Sequence, residues 1–130
     1  MAIEYKLVPM LKVAGNGVYN INAIYATPQT YAPSVSGSAN MDMSLSNRHV
    51  ITMPAGGVTL SIVNVTVGQM FAVEIIQDGV GSRLVNWFPT IKWAGGVAPT
   101  LTLTASKKDS FIFVTTGVGT YDGYIIGQNV

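Results

Sequence analysis

A chain of 130 residues suits one domain with a real core, and the absence of cysteine excludes disulfides and thiolate chemistry. The net charge of +1 comes from scattered residues; only Lys107 and Lys108 adjoin, with Asp109 directly after, which is no footprint for nucleic acid or an anionic membrane. Charged residues make up 10% of the chain, against about a quarter in a typical soluble domain, so much of the surface is expected to be covered by partner protein in an oligomer or larger assembly.

From the N-terminus, Glu4, Lys6, Pro9 and Lys12 interrupt any apolar run that a signal peptide would need, and the chain is expected to stay unexported. No window carries sustained helical periodicity. Short runs rich in Val, Ile, Phe, Tyr and Thr alternate with Gly, Pro, Asn and Asp, the pattern of an all-β sandwich or barrel. The first strand candidates are Glu4–Val13 and Gly17–Ala26. The stretch TPQTYAPSVSGSAN, residues 27–40, follows; it is uncharged and dense in Pro, Ser and Thr, and reads as a linker or extended excursion. It divides the chain into an N-terminal arm, residues 1–40, and a β-sandwich domain, residues 41–130. The arm is apolar enough to pack on its own domain or on a neighbouring subunit.

Further along, strands are predicted at His49–Met53, Val58–Val65, Met70–Gln77, Arg83–Phe88, Thr100–Thr104, Ser110–Thr116 and Thr120–Ile126. Residues 50–73 carry no charge, but Pro54, Gly56, Gly57, Asn64, Gly68 and Gln69 make them two strands and a turn rather than a membrane span. Period-two alternation places Phe71, Val73 and Ile75 on one face and Glu74 on the other. The sequence Asp78-Gly79-Val80-Gly81 between two alternating runs predicts a hairpin turn, with Arg83 paired to Asp78 or to a backbone carbonyl.

Catalytic chemistry needs converging groups, and the residues do not supply them. The one histidine, His49, has no partner motif and reads as an exposed or half-buried residue at the start of a strand. The six carboxylates are scattered, and no His-carboxylate cluster suits a metal. The glycines of DGVG and of GNG at 15–17 suggest an anion nest, but a dinucleotide fingerprint needs a helix where Val, Trp and Phe follow here. No catalytic residue, cofactor or metal is therefore assigned. Trp87, Trp93, Tyr121 and Tyr124 lie near turns and are the candidates for a sugar platform, although large aromatics more often serve packing.

The run Val67–Gly127 resembles a β-module of tailed-bacteriophage virion structural proteins. The matching pattern is Q-D-G-x-G-S-R at Gln77–Arg83, a tryptophan at Trp87, and K-W-x-G-G-x-x-P-x-L-T at Lys92–Thr102, followed by Asp109 and Phe113. Such modules occur in tail fibres, receptor-binding tips and capsid decoration proteins. Only about 66 residues precede the module, whereas fibre versions end much longer chains, so the resemblance implies a head decoration, or cement, protein. It implies an antiparallel, jelly-roll-like β-sandwich with an extended N-terminal segment. It further implies a homotrimer, contact with the major capsid protein or other virion subunits, a place in the virion assembled in the host cytoplasm, no nucleic-acid or membrane partner, and no enzymatic role. The alternative is a tail-fibre or tail-tip module contacting host glycan through Trp87, Trp93, Tyr121 or Tyr124. Residues 1–40 are expected to carry much of the assembly contact.

Overall fold

The computed structural model describes residues 27–35 and 37–130. The strand candidates Glu4–Val13 and Gly17–Ala26, and with them most of the expected arm, lie outside the described residues. Nine strands follow in order: β1 Gln29–Tyr31, β2 Gly37–Asp42, β3 Arg48–Thr52, β4 Val58–Val63, β5 Met70–Ile76, β6 Val85–Asn86, β7 Ile91–Trp93, β8 Lys108–Gly117 and β9 Thr120–Gly127. A 3₁₀ turn at Ala94–Gly96 is the one helical element among them, and no described helix is long and apolar enough to cross a membrane.

The strands form a six-stranded sheet in the order β1-β3-β5-β8-β9-β7 and a three-stranded sheet in the order β2-β4-β6. From β1 to β6 the chain alternates between the sheets, laying each strand parallel to the one a coil earlier. Gln29 faces His49, His49 faces Val73, Gly37 faces Val58 and Val58 faces Val85, steps of 20 to 27 residues. Three stacked coils result, each giving one strand to each sheet, as in solenoid architectures. The hairpin of β8 and β9 then continues the larger sheet antiparallel to β5, and β7 lies parallel to β9 at its far edge.

The antiparallel expectation is thereby corrected: the fold is all-β, but only the β5–β8 and β8–β9 pairs run antiparallel. Local alternation sets which side chains face inward, and it is the same for either direction; direction is decided by the crossovers. The stretch 27–40 is also more than a connector, since β1 and the first four residues of β2 fall within it. The candidate at Thr100–Thr104 is not a strand, and that at Arg83–Phe88 contracts to β6.

Side chains of both sheets share one buried cluster. Met41 and Leu60 come from the smaller sheet, and Ile51, Phe71, Val73, Phe111 and Phe113 from the larger. Phe71 and Phe113 stack with centroids 5.3 Å apart, and Phe88 meets Phe113 edge-on at 5.0 Å. Each such ring contributes about 1.5–3 kcal/mol by leaving water. On the opposite face of β5, Glu74 sits between Arg48 Nε at 2.7 Å and Lys108 Nζ at 2.8 Å, tying β3, β5 and β8 together.

Candidate functional site

The glycine loop after β5 is a corner between sheets, which corrects the hairpin expectation: β5 pairs with β3 and β8, whereas β6 joins β4 in the other sheet. An Asp-Gly turn signal reports a local reversal and is blind to which strand the chain meets next. The corner is held by its own residues. Gln77, buried, accepts from the Arg83 amide and donates to the Arg83 carbonyl, both at 3.0 Å. Asp78 Oδ1 accepts from the amides of Val80 at 3.1 Å and Gly81 at 2.7 Å, and Oδ2 accepts from Arg83 Nε at 2.9 Å. The Gly81 amide, with help from Arg83 and Val80, holds the Asp78 carboxyl below its usual range.

Arg83 also donates to the Ala55 carbonyl at 3.1 Å, so it makes both contacts expected of it. Gly81 has φ +82°, and a Cβ there would fall against the Leu103 carbonyl oxygen and 2.8 Å from Ala105 N. The amides and guanidinium that could cradle an anion are thus taken up by Asp78, Gln77 and Ala55.

The other polar groups are engaged in the same way. Asp109, buried, accepts from Thr102 N at 2.7 Å and Asn129 N at 3.0 Å; burial pushes its carboxyl up, but these bonds hold it below its usual range. His49 is fully buried, which corrects the expectation of an exposed or half-buried residue. Its Nε2 lies 2.9 Å from the Ser46 carbonyl and must donate, so Nδ1 accepts from the Tyr31 hydroxyl at 3.2 Å. Burial pushes its pKa down, and the neutral ring bridges β1 and β3. Among the described residues no three His, Cys, Asp or Glu side chains are placed to hold a metal.

The four aromatic candidates separate. Tyr121 is buried against Phe88, centroids 5.0 Å apart, and its ring faces the core. Trp87 and Trp93 meet edge-on at 5.2 Å, and both pack on Phe111 and Phe113. Gly123 makes room for this, since a Cβ there would lie 2.7 Å from Trp93 Cε3. Tyr124 is 45% exposed. Trp93 and Tyr124 line one hollow of about 290 Å³ with Val97, Pro99 and Ile125. Trp87 lines a second, of about 260 Å³, with Leu84, Leu101 and Leu103; Pro99 borders both.

No charged or amide side chain lines either hollow. Sugar recognition asks for such groups beside an aromatic face, whereas apolar protein contact does not. Sequence reasoning missed Leu84, Val97, Leu103 and Ile125, exposed apolar residues around these hollows. The signal available was the uncharged run VAPTLTL at 97–103, which alternates like a strand. A third, more polar groove of about 450 Å³ crosses the smaller sheet over Ser38, Thr59 and Asn86, which share one register row. Compared with known proteins, the chain matches no family model, no curated protein and no solved structure.

Proposed function

We propose that this chain is a non-enzymatic structural protein of a tailed-phage virion, a capsid decoration protein that stabilises the head lattice as a homotrimer. The observation that carries the reading is a contrast within the phage-like run. Its polar motif Gln77–Arg83 is spent on internal bonds, while the surface around Pro99 is apolar and uncharged. Clamping a lattice calls for contact area and shape matching rather than reactive groups. The low charge content and the two-layer, sandwich-like build support the same role.

Purified chain added to heads that lack it is expected to co-sediment to saturation and to raise their tolerance of heat. Failure to bind such heads would remove the decoration role.

The second reading, a tail-tip module for host glycan, is favoured by one observation: Trp93 and Tyr124 line a common hollow. Glycan-array binding that is lost in Trp93→Ala and Tyr124→Ala, without head binding, would move the assignment there.

A further inference from the structure

The outward face of the smaller sheet carries a polar pattern of its own. Ser38, Thr59 and Asn86 stand opposite one another on β2, β4 and β6, and all three are exposed. Neighbouring strands lie about 4.7–4.9 Å apart, so the row offers two hydroxyls and an amide at that interval across the sheet. In the next row Asn40 and Ser61 satisfy each other at 3.0 Å, and Asp42 beyond it accepts from Ser44 and Asn64, whereas among the described residues no side-chain bond engages Ser38, Thr59 or Asn86. Three unspent polar groups in one row contrast with the Gln77–Arg83 corner, where every such group is taken up.

The row runs along the groove of about 450 Å³, a volume within the range of ligand sites. Glycine keeps one side of it low: Gly57 has φ +80°, and a Cβ there would fall 2.7 Å from the Leu84 carbonyl oxygen. Leu84, exposed, is the apolar part of the lining, and no charged side chain lines the groove. An ionic ligand would find no counter-charge there. Hydroxyls and amides both donate and accept, so a ligand dense in hydroxyls finds a partner at each strand. A protein partner would instead ask for an apolar centre, which the Pro99 surface has and this face lacks. The run across three strands fits a chain rather than a single ring.

We propose that this groove binds a neutral polysaccharide, laid across β2, β4 and β6 with one polar contact per strand. The hydroxyls of Ser38 and Thr59 and the amide of Asn86 take the sugar hydroxyls, and Leu84 covers the C–H face of a ring. With no aromatic ring in the lining, a single site binds weakly, and display in many copies raises the effective affinity. The site shares no residue with the hollow of Trp93 and Tyr124.

The test is an array of neutral hexose and N-acetylhexosamine oligosaccharides, with anionic oligosaccharides beside them, probed with the full chain coupled to beads. Neutral chains should be bound and single sugars not. Thr59→Val and Asn86→Leu are changes at exposed strand positions, and each should lower the bound signal about tenfold at an unchanged unfolding midpoint. Tyr124→Ala should bind as the parent does. Silence toward every neutral chain, binding to anionic chains alone, or loss of binding in Tyr124→Ala with Thr59→Val and Asn86→Leu unaffected would overturn the proposal.

Discussion

Arg83 Nε lies 2.9 Å from Asp78 Oδ2, and the same guanidinium reaches the Ala55 carbonyl at 3.1 Å. The pair closes the corner where the chain leaves the larger sheet for the smaller. Arg83→Lys should lower the unfolding midpoint almost as much as Arg83→Ala, because an ammonium cannot span both acceptors with the guanidinium's fixed fork. Equal midpoints for Arg83→Lys and the parent would show the corner to be indifferent to this geometry.

The two glycines of the corner should respond oppositely. Gly79 has open space around its missing Cβ, so Gly79→Ala should stay within about 0.5 kcal/mol of the parent. Gly81→Ala forces a side chain at φ +82° against the backbone of Leu103 and Ala105, and should cost about 1–3 kcal/mol or more in chemical denaturation.

Gly123→Ala tests the aromatic packing. Its Cβ would meet Trp93 and Ile91 within 2.9 Å, so the indole must shift. A loss of about 1–3 kcal/mol is expected, with a change in near-ultraviolet dichroism from the Trp87–Trp93 pair.

Thr115 Oγ1 is buried with no hydrogen-bond partner among the described residues. Thr115→Val keeps the shape and removes the unsatisfied hydroxyl, so stability should hold or rise by about 1 kcal/mol.

Acid should weaken the fold in two stages. The pKa of His49 is pushed down by burial from its ordinary 6.5, so the unfolded chain binds a proton that the folded chain refuses. Stability is full above about pH 6.5 and falls as pH drops toward the folded value. The Glu74 carboxyl is held low by Arg48 first, and those of Asp78 and Asp109 are also lowered. Their contribution is present above the ordinary carboxylate range and is lost as pH falls through the lowered values. His49→Asn should remove the first stage from a plot of midpoint against pH and leave the second.

Much of the fold was legible because burial imposes a period. Phe71, Val73 and Ile75, and Phe111 and Phe113, alternate with outward residues, and β3, β4, β5, β8 and β9 stand near their predicted places. β1, β2 and β7 escaped because they are short or polar and gain their ladders from distant partners. Thr100–Thr104 alternates like a strand, yet the Thr102 amide is claimed by the Asp109 side chain, a contact that no local pattern announces. The packing role of Trp87 and Trp93 could be read from their type. The hollows beside them could not, because they exist only where the 97–103 loop settles against β9 and β6.

The most direct test of the proposed decoration role is antibody labelling of the chain on intact virus particles prepared from its source, read by electron microscopy. Label distributed over the head surface at many copies is the predicted result. Label confined to the tail tip, or absent from the particle, would contradict it.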